Sequence, residues 1–345
     1  MKLRIIKLLI LISFVQIPAL LCIKEASAKE LQISFVGDIL LAQPLQSKID
    51  SFGIKYIFDK VKNIFKTSDL VMANLESAVA DSGSPVNGKQ YTFRAKKEIL
   101  KGLNFAGIKL VNLANNHVLD FGREAFEETL DNLSEEKINY VGGGLNLQQA
   151  FSPFVFKKNK SKIFFFGANK IIPDESWYAK KNKSGIAGVD NPDFLINQIQ
   201  KVDKKALVVV YLHWGEEGKI TPNINQRNLA KRLIDNGADI IIGSHPHVLQ
   251  GLEFYKDKLI AYSLGNFIFN DTKNETMILN IKTDQNQVLS ANIVPCMIIN
   301  FRPEPIKDSK LKNKFYKMMQ NRSFKVKIDQ SGKIIKDKGD SYGKH

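Results

Sequence analysis

Residues 240–247 read Ile240-Ile241-Ile242-Gly243-Ser244-His245-Pro246-His247. A short apolar run of β-branched side chains ends abruptly in a polar loop that carries two histidines. Runs of this length and composition are buried strands, apolar all round because helices cover both faces of their sheet. The plan repeats in both directions along the chain. Apolar runs rich in Val, Ile, Leu or Phe stand at 33–36, 70–73, 110–113, 163–166, 207–212 and 259–262. Between them, helical spacing of apolar residues marks 55–65, 97–106, 123–135, 193–202 and 224–236. Gly107 and Gly237 come just after two of these, where a helix C-cap belongs. Alternation of this kind specifies an α/β layered fold.

The loops at the strand ends carry the chemistry. Gly37-Asp38, Asn74-Leu75-Glu76, Asn115-Asn116-His117 with Asp120, His213-Trp214-Gly215-Glu216, His245-Pro246-His247 and Ser263-Leu264-Gly265-Asn266 each stand just past an apolar run. In open α/β sheets, ligands bind beyond the carboxyl ends of the strands. Polar loops gathered on one edge are therefore expected to form one site. Of the five histidines, four (His117, His213, His245 and His247) lie in these loops, and His345 is terminal. Metal ligation and acid–base work are the main tasks of histidine.

Asp38 and Glu76 are the oxygen donors of this set, and one carboxylate can bridge two cations. Mixed nitrogen and oxygen ligation suits Zn, Mn or Fe better than Ca or Mg alone. In an extended loop His245 and His247 project the same way, with Pro246 stiffening the backbone between them. His117 and Asp120 form an H-x-x-D unit in which the carboxylate orients an imidazole that acts as general acid. Each residue also has a second reading. Asp38 suits an N-cap or turn, Glu76 a solvated surface, Asn116 the ordering of its turn, and Asp120 the cap of the helix that begins near Arg123.

The rest of the chain sets the frame. It has 345 residues, 44% hydrophobic and 25% charged, enough for a sizeable core. Lys2, Arg4 and Lys7 precede an apolar run over 8–23, and Ala26-Ser27-Ala28 comes next as a cleavage pattern. Residues 1–28 are thus expected to be an export leader, with a retained anchor as the alternative; the run is shorter than the ~20 residues that span a bilayer. Leu21 is too bulky to precede a lipidated Cys22. Cleavage leaves Cys296 as the one cysteine, so no intramolecular disulfide is expected. The formal net charge is +15, and loss of Lys2, Arg4 and Lys7 with the leader lowers it by three. Such a field favours anionic partners. No aromatic-interleaved basic motif points to nucleic acid. Past 269, strands at 275–282 and 288–295 around a turn at 284–287 read as a hairpin. Beyond it come a helix at 311–319, a last hairpin from 323–328 and 333–335, and a mobile tail from 336. One mature domain over 29–300 is expected, with 301–345 a basic C-terminal extension.

In this order, Gly37-Asp38, Asn74-Leu75-Glu76, Asn115-Asn116-His117 with Asp120 and Gly122, His213-Trp214-Gly215, His245-Pro246-His247 and Tyr262-Ser263-Leu264-Gly265-Asn266-Phe267 closely resemble the bacterial capsule-synthesis CapA family. That family is linked to poly-γ-glutamate capsule production and is related to the calcineurin-like metallophosphoesterases. The resemblance spans about 31–269. It implies a four-layer α/β/β/α metallophosphoesterase-like sandwich of two mixed sheets. It also implies a metal set of Asp38, Glu76, Asn116, His213, His245 and His247 for two divalent ions, with Glu76 bridging. His117 and Asp120 take the proton-donating role, and Arg94 (in Phe93-Arg94-Ala95) and Glu216 face the substrate. Two positions depart from the metallophosphoesterase pattern: Ile39-Leu40 comes after Asp38 where Asp-x-His is usual, and Glu76 stands where aspartate is usual. The expected function is an exported, periplasmic or extracellular, capsule-synthesis protein with metal-dependent hydrolase chemistry on a phosphoester or anionic polymer. The alternative is a non-enzymatic polyanion-binding component of polymer assembly or export, beside that machinery at the membrane.

Overall fold

All seven apolar runs form strands, and they divide between two mixed sheets. The computed structural model describes residues 30–337 apart from 43–44, 271–272 and 285. The expected leader over 1–28 and the tail beyond 337 lie outside the described residues. The larger sheet runs Val326–Ile328, Lys333–Lys336, Gln287–Ile299, Lys273–Asp284, Leu31–Ile39, Leu70–Leu75, Leu110–Asn112, Asn139–Val141. Asn266–Ile268 also pairs with Leu31–Ile39, and Arg302–Pro305 with Gln287–Ile299. The second sheet runs Leu252–Tyr255, Lys258–Ala261, Ile240–Ser244, Leu207–His213, Ser161–Asn169, Phe154–Lys158.

Alternation along each strand explains the layering. In Leu207–His213, Val209 and Tyr211 point into the layer between the sheets, where they meet Phe35, Met72, Phe165 and Leu279. Val208 and Val210 point outward, into a core that helices Asp193–Gln200 and Ile224–Asp235 close with Leu195, Ile199 and Leu233. On the far side, Val71 and Val111 of the larger sheet pack beneath helices Leu100–Ala106 and Gly122–Glu135 through Leu103, Phe126 and Leu130. The result is helix, sheet, sheet, helix, the four layers expected. Tyr211 joins the sheets by donating to the Val36 carbonyl at 2.8 Å.

Three elements differ from the sequence reading. The helix expected over 55–65 is two short helices, Lys55–Phe58 and Lys62–Phe65. The Val61 N–H reaches the Phe58 carbonyl three residues back, and the α-helical ladder stops there. The stretch at 97–106 opens as a 3-10 turn, Lys97–Ile99, before it becomes α-helical. Finally, the stretch from 301 is not an appendage up to 336. Arg302–Pro305 and Lys333–Lys336 both pair with Gln287–Ile299, and helix Ser309–Arg322 puts Phe315, Tyr316 and Met319 into the layer between the sheets. Among the described residues no helix is long and apolar enough to cross a membrane.

Candidate metal centre

Register brings the loops together. Leu31–Ile39 lies parallel to Leu70–Leu75 and to Asn266–Ile268, with Asp38 opposite Asn74 and Asn266. In the other sheet His213 lies opposite Ser244. The parallel strands of both sheets thus end on one edge, over the layer that joins them. The backbones must come very close there: the Asp38 N–H donates to the Gly265 carbonyl at 2.9 Å. A Cβ on Gly37 would sit 1.8 Å from that same oxygen, so only glycine fits.

Asn74 is the hub. Its amide nitrogen lies 2.8 Å from Asp38 Oδ1 and 3.4 Å from Glu76 Oε2, and its carbonyl oxygen accepts from Asn112 at 3.0 Å. Asp38 Oδ2 accepts the His245 backbone N–H and lies 3.4 Å from His247 Nδ1. Asn116 Oδ1 stands 2.8 Å from His213 Nε2. The ordering of that turn belongs instead to Asn115, whose side-chain oxygen accepts from the His117 and Val118 N–H groups. Asp38, Glu76 and His213 are wholly buried, and His245 is 4% exposed. Buried polar atoms are normally hydrogen-bonded. Here Glu76 Oε1 and His245 Nδ1 are buried with no hydrogen-bond partner among the described residues. The imidazoles of His247 and His213 stand near Glu76 Oε1, at 3.7 and 3.8 Å, beyond hydrogen-bond distance.

Three groups of donor atoms lie within 4.8 Å of one another: Asp38, Glu76 and His247; Glu76, His213 and His245; and Glu217, His245 and His247. The first two share Glu76. Burial and the charge of Asp38 push the Glu76 carboxyl well above its ordinary value. Burial opposes ionisation of Asp38, but hydrogen bonding and charge from His247, with bonds from Asn74 and His245, hold it below the usual range. His247 loses stability as a cation through burial, yet the carboxylates of Glu76 and Asp38 raise it to about 10. Burial and the charge of His247 lower His245 to about 4, and burial with the neighbouring imidazoles pushes His213 well down. The two carboxylates therefore draw positive charge into their midst, and neutral nitrogens stand ready beside it.

His117 and Asp120 form the expected pair, at 2.7 Å from Nδ1 to Oδ2. Asp120 does not cap the helix Gly122–Glu135, whose N-cap is Phe121. Its carboxylate accepts the Phe93 N–H at 2.7 Å and an ion pair from Lys89. Lys89, mostly buried, also donates to the Asn116 carbonyl and lies 3.0 Å from His117 Nδ1. Burial lowers both His117 and Lys89, with Asp120 opposing each shift.

The two residues expected to face the substrate have partners in their own loops. Arg94 donates to the carbonyls of Asp81, Ser82 and Gly83 and covers the Phe121 ring at 4.3 Å, so it staples its own loop. Glu216 accepts from Asn223 and lines a cavity of about 510 Å³ bordered by Lys170, Asp190 and Arg232. The neighbouring Glu217 is the carboxylate that approaches the histidines. The loop 245–247 is not extended either: φ is 94° at His245 and 58° at His247. Non-glycine residues in that region cost on the order of 1–3 kcal/mol each and persist where surroundings hold them.

The model of the bacterial capsule synthesis protein PGA_cap family matches residues 32–271, which spans every residue of the centre. The chain belongs to this family. It is 33% identical over 309 residues to the capsule biosynthesis protein CapA of Bacillus anthracis, covering 86% of this chain and 74% of that protein. With the PGA biosynthesis protein CapA of Bacillus subtilis (strain 168) it shares 32% over 323 residues, 91% of this chain and 84% of that one. Among solved structures, the NAD nucleotidase NadN of Haemophilus influenzae superposes with a TM-score of 0.44 and 11% identity, over 86% of this chain and 57% of that one. That likeness is too slight to speak to chemistry. Strands Lys273–Asp284, Gln287–Ile299, Arg302–Pro305, Val326–Ile328 and Lys333–Lys336, which extend the larger sheet, lie outside the family match.

Proposed function

We propose that this chain is an exported, periplasmic or extracellular, protein of capsule synthesis whose strand-end centre holds two divalent ions, Mn, Zn or Fe, and hydrolyses a phosphoester or a bond in an anionic capsule-like polymer. The observation that carries this reading is the pair of donor groups sharing Glu76, with the bare Glu76 Oε1 and His245 Nδ1 beside them. Asp38, Glu76 and His247 would hold one ion, and Glu76, His213, His245 and Asn116 the other. Three imidazoles among carboxylate and amide oxygens suit those metals. When bound, divalent ions supply Lewis-acid charge to a substrate oxygen and acidify water.

The chain's own residues do the rest. Asp120 Oδ2 accepts the Nδ1 proton of His117 and its charge favours the imidazolium against burial; that cation would pass its Nε2 proton to a departing oxygen and return to the neutral Nδ1–H form. Lys89 holds the other oxygen of Asp120 and the carbonyl of Asn116, so the proton donor and a ligand share one brace. Asn74 orients Asp38 from behind, in the manner of outer partners at metal sites. The test is His117→Ala, assayed for bound metal and for turnover of a chromogenic phosphodiester. The variant should keep its metal and lose about 100-fold or more in turnover. Full turnover would overturn the role given to His117.

A second reading is a non-enzymatic, polyanion-binding part of capsule assembly or export. It is supported by the excess of 50 Lys and Arg over 35 Asp and Glu, and by Leu40, wholly buried where metallophosphoesterases usually place a histidine. It requires binding to poly-γ-glutamate that weakens steeply with salt. Absent or salt-insensitive binding counts against it.

A further inference from the structure

Glu217 is exposed, and among the described residues its carboxylate has no hydrogen bond or ion pair, yet it lies within 4.8 Å of donor atoms of both His245 and His247. Its position is built. Gly215 (φ 91°) and Gly218 (φ 73°) bend the chain on either side of it through left-handed conformations that side chains disfavour. The Gly218 N–H then donates to the Pro246 carbonyl at 2.9 Å, which fastens this turn to the peptide between the two histidines. One step further, the Lys219 carbonyl accepts from Gln250 at 2.8 Å. Before Glu217, the Trp214 N–H donates to the Ser244 carbonyl at 3.1 Å, so the turn is held on both sides against residues 244–250 with Glu217 between. His245, which joins Glu217 in this group, is 4% exposed and its Nδ1 has no hydrogen-bond partner among the described residues.

Charge gives the turn a purpose. The expected donors include two carboxylates, Asp38 and Glu76, against as many as four positive charges from two divalent ions. Position 40 adds no ligand, since Leu40 is wholly buried. From these observations we infer that Glu217 is a further metal ligand, a third carboxylate delivered from the turn after His213 onto the His245–His247 side of the centre. The inference rests on the proposed metal centre and deepens it. Anionic substrates would then approach a less positive site than two carboxylates alone would leave.

Calorimetric titration of Mn²⁺ into the chelator-stripped full chain tests this, on wild type, Glu217→Gln and Glu216→Gln. The first substitution is isosteric and exposed, and the second alters the adjacent carboxylate that turns to Asn223. Loss of even an outer partner of a metal ligand typically weakens binding on the order of 10- to 100-fold. Glu217→Gln should weaken the tightest or second Mn²⁺ by at least that factor, with Glu216→Gln within about 2-fold of wild type and all three melting alike without metal. Wild-type affinity in Glu217→Gln overturns the inference while leaving the centre standing. Equal weakening in both variants overturns it too, because that is a diffuse charge effect. No binding by wild type overturns the centre and the inference together.

Discussion

His247 shows how much of this site is settled by single residues. Its imidazole lies 3.4 Å from Asp38 Oδ2 and 3.7 Å from Glu76 Oε1, and the two carboxylates raise it to about 10 against burial. Its folded value exceeds its unfolded one near 6.5, so the stability it contributes is fully present below that pH and is lost as pH rises through about 10. The chelated protein should therefore melt at progressively lower temperature from pH 7 to pH 10, and His247→Gln should flatten that slope. A wild-type profile that is level over this window would contradict the assignment. At this scale the sequence was a partial guide. Histidines and carboxylates at strand ends were visible because their types are rare and their places regular. Lys89 was not, since a lone lysine in a polar loop has no pattern to single it out. Glu216 and Glu217 are adjacent, and which one turns to the histidines depends on backbone angles at Gly215 and Gly218 that residue type does not report. Arg94 stood in Phe93-Arg94-Ala95, and which carbonyls its Nη1 would meet, those of Asp81, Ser82 and Gly83, is set by a loop fold that residue type does not report.

Elements set the loop that carries His245 and His247. Just after its left-handed backbone, residues 249–252 are held from outside by the end of helix Ser309–Arg322 and the residues that follow it. Arg322 donates to the Leu249 carbonyl at 2.9 Å, the Phe324 N–H to the Leu252 carbonyl at 2.7 Å, and a Cβ on Gly251 would meet the Arg322 carbonyl at 1.7 Å. Arg322→Ala should lower stability to denaturant by about 1–3 kcal/mol, the usual cost of losing a bond from a charged group. It should also weaken Mn²⁺ binding several-fold, read by titration of the folded variant. Unchanged affinity with lowered stability would show that the helix supports the fold and not the loop. Elements were legible where apolar runs were short and bounded, and blurred where tertiary contacts overrule local spacing. Helical periodicity over 55–65 continues straight through the break at 59–61, because Ile57, Phe58, Val61 and Phe65 all reach one core whether or not the ladder is continuous.

The whole molecule is two sheets whose parallel strands end on a common edge, and that arrangement turns six scattered loops into one centre. Alternation of strands and helices announced the layered class, and the resemblance supplied the four layers. What neither supplied was the reach of residues 302–336 into the fold. Their basic, proline-containing composition reads as an extension, yet alternate residues such as Val326, Ile328 and Ile334 are buried in the layer between the sheets. Short amphipathic strands of this sort carry too few residues to stand out from a charged background. The central claim is that the buried donors around Glu76 exist to hold metal. Elemental analysis of the purified chain after reconstitution with Mn²⁺ or Zn²⁺, alongside His245→Ala, tests it most directly. The account predicts close to two ions per chain, with a clear loss in the variant. No bound metal in the wild-type protein under either ion would contradict it.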